Sequence, residues 1–367
     1  MNLRVPGPTP CPAPVIEAMG QQMINHRGPE FAELISTVTA GLLAIFQTQG
    51  DVLTLTCSGT GGLEAAVVNT LSPGERTMVI SIGVFGNRVA QIAEAYGADV
   101  SSLSFEMGQA ADPDRVRETL RAEPKVNTVF VTHNETSTGV TNDLAALSAV
   151  IKGEFGKTLV VDGISSIGSI PCPVDEWEID IAVSGSQKSW MTPPGVAMVS
   201  VSAHGWEVIQ QARMPRVYLD LTMARTALTK GQTPWTPGMT TLYGLRKGIE
   251  LLLADGIEAV HARHASSGHL TRRLVKEAGL ELFADEPHAS NTVTAIMLPA
   301  GVQWKELSQL LHDEHHVVLA GGQGPLGGKI CRIGHLGWVE DGQIEHAVSS
   351  LRKALAQLSP SVLSSQR

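Results

Sequence analysis

The chain has 367 residues, with 27 Lys and Arg against 36 Asp and Glu, a formal net charge of −9. An acidic chain without a long basic run repels a polyanion, which disfavours nucleic-acid binding driven by net charge. Hydrophobic residues make up 43% and charged residues 17%, enough apolar material for a sizeable core and against wholesale disorder; at roughly 100–200 residues per domain the length suggests two domains, or one large domain with a satellite.

The first residues, MNLRVPGPTP, lack the apolar stretch of a signal peptide, and no segment reads as the ~18 apolar residues of a membrane span. Asn25–Phe31 carries a helix start at Gly28–Pro29. Short β-branched runs then alternate with amphipathic stretches. Strands are expected at Thr77–Gly83, Asn127–His133, Thr158–Asp162, Ile179–Gly185 and Val196–Val201, and helices at Val84–Tyr96, Pro113–Ala122 and Leu144–Phe155. This alternation is the signature of βαβ units, and the nearly all-apolar TVFV and TLVV suit a mainly parallel sheet covered on both faces. From Thr240 to about Gly279 a long helical pattern runs through a break at Gly256. NTVTAIML, a helix around Trp304–His315, VVLAGG, KICRIGHLG and a last helix over Asp341–Leu358 follow. The expected organisation is α/β: an N-terminal arm (1–14), a large domain (15–245) and a small C-terminal α+β domain (246–367), with a Ser-rich, disordered tail after Ser359. Cys11, Cys57, Cys172 and Cys331 have no C-x-x-C spacing and read as reduced thiols of a cytoplasmic protein.

Several patterns lead nowhere. Gly322, Gly324 and Gly327 match G-x-G-x-x-G, but GKICRIGHLG after them reads as a strand, so no helix start faces a pyrophosphate. A glycine loop beside a site is the better reading. His312, His315 and His316, or His261 and His264, have helical spacing but no completing carboxylate or cysteine, and no metal is expected. The G-x-S-x-G nucleophile motif is absent.

The informative residues lie in separate segments. Ser58-Gly59-Thr60-Gly61-Gly62 opens a helix whose free N–H groups would face an anion, or simply cap it. Asp162 ends the apolar strand TLVVD, where ligands of parallel sheets gather; a helix N-cap is its plainer reading. Lys188, in SGSQKS after another strand, sits among small residues where burial would lower its pKa and make it a nucleophile towards carbonyls. Arg332, inside KICRIGHLG, needs an anion: a substrate carboxylate or a structural partner. Phosphate cradle, carboxylate, amine and carboxylate-binding fork are together the equipment of a pyridoxal 5'-phosphate (PLP) enzyme.

At these residues the sequence resembles the class V aminotransferases of PLP fold type I, most closely the alanine–glyoxylate and serine–glyoxylate (serine–pyruvate) branch. The resemblance runs through PGPTPCP, SGTGGLEAAVVNTL, IGVFGNR, HNETSTGV, VDGISSIG, SGSQKS, TPWTPGMTTLYGLR and RIGHLG. It implies a large domain with a mainly parallel seven-stranded sheet. It makes Lys188 the Schiff-base lysine and proton carrier, and Asp162 the partner of the pyridine nitrogen. Ser58, Gly59 and Thr60 would contact the phosphate, Gln187 the phosphate or another part of the cofactor, Phe85 would stack on the ring where relatives often carry Trp, Thr136 would lie on the phenolic side, and Ile164 would pack beneath. Arg332 would hold the substrate carboxylate, and Thr236 would reach the phosphate of a neighbouring subunit, which implies a homodimer with shared sites.

The implied reaction is ping-pong transamination from a small L-amino acid, alanine or serine, to a small 2-oxo acid, glyoxylate. Asn25–Phe31 resembles a segment near the substrate mouth. Rival readings are a 2-aminoethylphosphonate–pyruvate or ureidoglycine–glyoxylate aminotransferase. A cysteine desulfurase needs a reactive cysteine on the loop before Arg332, and Gly321–Lys329 has none. The substrates are small molecules; neither nucleic acid nor membrane is an expected partner.

Overall fold

A computed structural model describes residues 1–358. The tail after Ser359 lies outside the described residues. Seven strands form the main sheet: β1 (Asp51–Leu55), β2 (Arg76–Ser81), β3 (Asp99–Ser104), β4 (Thr128–Thr132), β5 (Thr158–Asp162), β6 (Ile181–Gly185) and β7 (Ala197–Val201), in the order β1-β7-β6-β5-β4-β2-β3. All neighbours run parallel except β7, which is antiparallel to both β1 and β6. The central strands alternate their side chains between two covered faces. Val129 and Val131 of β4 and Leu159 and Val161 of β5 enter one apolar cluster, while Phe130 and Val160 enter the other. Two strands that the sequence does not announce, β1 and β3, are the sheet's edges. β3 (DVSSLS) buries only Leu103, so it lacks the continuous apolar run that marks an interior strand.

The helix Pro29–Phe46 begins with Gly28 as N-cap and Pro29 at its first position, as expected. With a mean hydropathy of 1.4 over 18 residues it is long and apolar enough to cross a membrane, although no such span was legible in the sequence. Its stripe of Phe31, Leu34, Ile35, Val38, Leu42, Ile45 and Phe46 is instead buried in the core. The long C-terminal helical pattern divides into Met239–Asp255 and Ile257–Glu277 at Gly256, whose φ of +82° places the break where the sequence puts it. Leu144–Phe155 is α-helical only to Ser148 and continues as a π-helical segment to Glu154.

A smaller antiparallel sheet follows: β8 (Val293–Met297), β9 (Ala320–Gly321) and β10 (Ile330–Gly334), with β10 in the centre and Arg332 opposite Ala295 and Ala320. It packs against the helices Ile257–Glu277, Trp304–His315 and Asp341–Leu358 around Leu307, Leu311, Ile333 and Leu351. Gly324–Leu326 forms only a 3-10 turn, so no α-helix starts in the glycine loop. The N-terminal segment ties the two sheets together. Asn2–Leu3 pairs with Val317–Val318, Arg4 O accepts from Gly334 N at 2.7 Å, and Thr9 N donates to Gln187 O at 3.0 Å.

The helix Met239–Asp255 approaches the Trp190 backbone closely: a Cβ on Gly248 would lie 2.3 Å from the Trp190 carbonyl oxygen. Gly248→Ala is therefore expected to lower stability by about 1–3 kcal/mol in urea unfolding, the usual cost of overpacking. An unchanged midpoint with an unchanged slope would contradict this packing.

Candidate active site

A cleft of about 290 Å³ opens where the central strands end, and Gly59, Thr60, Phe85, Thr136, Asp162, Ile164, Gln187 and Lys188 all line it. Residues far apart in the sequence thus meet at the carboxyl edge of a parallel sheet, where such folds gather ligands. Asp162 is the last residue of β5 and is 7% exposed. Its Oδ1 accepts one hydrogen bond, from Ile164 N at 3.0 Å. Burial pushes its carboxyl up to about 7, and the charge of Glu135 adds to the rise, against the Ile164 N–H and the cations Lys188 and Arg88. Lys188 follows β6 by three residues. Burial brings its ammonium down to about 8, opposed by Asp162 and assisted by Arg332.

The N-terminal segment forms the roof over this lysine. Lys188 Nζ donates to the Pro6 carbonyl, and Thr9 Oγ1 donates to the Lys188 carbonyl at 2.8 Å. Gly7 has φ +126°, and a Cβ there would lie 2.7 Å from Lys188 Nζ, so only glycine fits between strap and lysine.

The helix Gly59–Thr70 starts at Ser58 without a side-chain cap, and Gly62 N is the donor to Ser58 O at 3.1 Å. The N–H groups of the preceding first turn are left to face the cleft, a ready anion site. Gln187 adds an orphaned Oε1, buried with no partner. A Cβ on Gly185 would come within 3.0 Å of that atom and 3.3 Å of Gly59 Cα, so the glycines keep this corner open. The N–H groups of this turn fit a cofactor phosphate, and the Gln187 carboxamide would join them through its Nε2 donor, since Oε1 only accepts.

Arg332 stands behind the cleft. It is 4% exposed, donates through Nε (3.0 Å) and Nη2 (2.7 Å) to Gly321 O and through Nη1 (2.8 Å) to Thr136 O, and has no carboxylate partner among the described residues. Two backbone carbonyls fix the fork and leave N–H groups over for an anion. Ser58 and Thr236 are exposed and do not line the cleft of their own chain. No residue of Asn25–Phe31 lines it either. Arg27 instead holds the segment before Thr236, donating to Gln232 Oε1 (2.9 Å) and the Thr233 (2.7 Å) and Pro234 (3.3 Å) carbonyls. His264 is buried, hydrogen-bonded to Ser169 and the Gly337 N–H, and among the described residues no group of three metal-ligating side chains forms.

Sequence reasoning missed Glu135, Arg88 and the strap. Glu135 is fully buried and accepts from Phe85 N (2.9 Å), Gly86 N (3.2 Å) and Ser137 N (3.0 Å). It caps the helix Val84–Ala95 from outside and so sets the position of Phe85; burial raises its carboxyl. A carboxylate inside HNETSTG was the available signal, without any indication of which amides it would serve.

Residues 1–331 match the aminotransferase class-V family. The chain belongs to the class V aminotransferases. It is a PLP-dependent transaminase with the α/β architecture of PLP fold type I. It is 41% identical to the "Soluble hydrogenase, small subunit" of Synechococcus sp. over 97% of this chain and 93% of the relative. It is 35% identical to the L-aspartate–glyoxylate aminotransferase of Paracoccus denitrificans (96% and 91% covered) and to the serine–glyoxylate aminotransferase of Methylorubrum extorquens (96% and 90%). The crystal structure of an alanine–glyoxylate aminotransferase from Nostoc sp. superposes with a TM-score of 0.92 at 28% identity, covering 96% of this chain and 94% of that one.

Two outcomes follow. Removing Glu135 strands buried amides, so Glu135→Ala is expected to cost about 2–4 kcal/mol in denaturant unfolding. With Lys188 near 8, the unprotonated amine is the reactive form, so trapping of a neutral aldehyde by the cofactor-free protein with borohydride should accelerate with pH and level off above about 8. A rate still climbing tenfold per pH unit at pH 10 would place Lys188 in the ordinary lysine range.

Proposed function

We propose that this aminotransferase moves the amino group of a small L-amino acid, alanine or serine, to a small 2-oxo acid, glyoxylate, in a ping-pong cycle at Lys188. The observation that carries this reading is Arg332: a buried, carboxylate-free fork set behind a cleft of about 290 Å³, suited to the one charged group that every such donor and acceptor shares. Relatives named for glyoxylate support the acceptor. PLP, when bound, supplies an electron sink for the substrate's α-carbon.

The chain's residues do the rest. Gly59, Thr60, Ser58 and Gln187 would hold the phosphate, Phe85 and Ile164 the two sides of the ring, and Thr136 its phenolic edge. Asp162 would keep a negative charge opposite the ring nitrogen. The dry surroundings that raise its pKa also strengthen its attraction for a cationic partner. Lys188 Nζ, with its ammonium brought down to about 8, would take and return the α-proton near neutral pH.

The working unit on this reading is a cytoplasmic homodimer in which Thr236 reaches the phosphate of a second copy. Thr236 is exposed beside the stacked Tyr218–Trp235 pair, and Val217 and Tyr218 present apolar surface next to it. The division into an arm (1–14), a large domain (15–245) and a small domain (246–367) belongs to the same proposal. A desulfurase draws no support from Cys331, whose thiol is buried and pushed up to about 12.

The test is product analysis. Glycine formed from glyoxylate is followed with alanine, serine, aspartate, ureidoglycine and 2-aminoethylphosphonate as donors. Highest kcat/KM with alanine or serine is expected, lost with Lys188→Ala. Arg332→Ala should raise KM for donor and acceptor alike, by about 100-fold, as for a lost charge-assisted pair. Preference for one of the other donors, or for an acceptor other than glyoxylate, overturns the substrate assignment while leaving the transaminase intact.

A further inference from the structure

The cleft holds a cation that neither the resemblance nor the proposed reaction employs. Arg88 lies in the first turns of the helix Val84–Ala95 and lines the cleft. Its guanidinium sits over the Phe85 ring, 4.6 Å from the centroid, and Nη1 donates to Thr60 Oγ1 at 3.4 Å. No carboxylate among the described residues comes within ion-pair distance (4.0 Å) of it. A half-buried guanidinium without an anion, touching a residue of the open helix turn, is positioned to receive one.

The charge inventory of the cleft points the same way. Lys188 donates to the Pro6 carbonyl and Arg332 to the Gly321 and Thr136 carbonyls, whereas the phosphate corner otherwise offers only neutral donors: backbone N–H groups, the Thr60 hydroxyl and the Gln187 amide. Helix termini and hydroxyls carry partial charges only, and a phosphate ester brings up to two negative charges into a site whose walls exclude water. Among the described residues, Arg88 is the one full positive charge at that corner.

We propose that Arg88 is the cationic member of the cofactor-phosphate site. It completes, from the helix Val84–Ala95, the cradle begun by Gly59 and Thr60. The same side chain covers one face of Phe85 by a cation–π contact and so presents the opposite face of that ring to the cofactor. The helix thereby delivers a stacking group and a phosphate partner one turn apart, at i and i+3.

The experiment separates phosphate recognition from support of Phe85. Cofactor-free wild type, Arg88→Gln and Arg88→Lys are titrated with PLP and, separately, with pyridoxal, which lacks the phosphate. Binding is read from the visible absorbance of the lysine-linked ligand and from quenching of tryptophan fluorescence. Arg88→Gln should weaken PLP about 10–100-fold, in line with loss of a charged hydrogen bond, and leave pyridoxal within twofold, with Arg88→Lys recovering part of the PLP affinity. Equal weakening of both ligands would mean that Arg88 acts only through Phe85, and unchanged PLP binding would mean that it takes no part; either result overturns the proposal. Absence of substrate turnover in every variant would count against the substrate assignment alone, because the titrations do not depend on it.

Discussion

Everything at this site depends on holding a carboxylate and an amine out of water in one cleft. Asp162 and Lys188 end up near the carboxyl termini of adjacent parallel strands, β5 and β6, whose register sets Asp162 opposite Val183. Desolvation drives the acid up to about 7 and the base down to about 8, each toward its uncharged form. The lysine can therefore stand as a free amine near neutrality, whereas exposed to solvent it would be a fixed ammonium.

The remaining architecture maintains that burial. The two-faced sheet supplies the floor, and the strap of residues 4–9 supplies the roof, with Gly7 allowing the main chain to pass against the lysine. Arg332 comes from the small sheet and donates to the Thr136 carbonyl, in the segment that follows β4 of the large one, while Glu135, next to Thr136 in sequence, gathers the amides that position Phe85. Arg332, Thr136, Glu135 and Phe85 are thereby linked through hydrogen bonds to backbone groups, which are stiffer than contacts between flexible side chains.

The sequence was most legible where burial leaves a compositional mark. The interior strands β4 and β5 are continuous apolar runs, and both the Gly28–Pro29 start and the Gly256 break are local steric facts. The edge β3 was silent because a half-exposed strand needs no apolar run. Asp162 and Arg332 could be singled out because charged residues in apolar strands demand a reason, and Lys188 because it stands among small residues just past a strand's end. Arg88 and Glu135 carried no such mark: a cation and a carboxylate in helical or polar surroundings look like ordinary surface groups until the fold shows what surrounds them. The strap was hidden for another reason. Its role rests on Pro6 and Lys188 carbonyls and on a long-range approach, and main-chain oxygens leave no trace in the choice of residues.

The central claim is that this pocket runs an amino transfer in two separable halves. The most direct measurement is the visible spectrum of the PLP-loaded protein through one cycle, first with L-serine or L-alanine and then with glyoxylate. The absorbance of the lysine-linked cofactor is expected to be lost on adding the donor and restored by glyoxylate. A spectrum that no amino donor alters, or one that bleaches and that no 2-oxo acid restores, would contradict it.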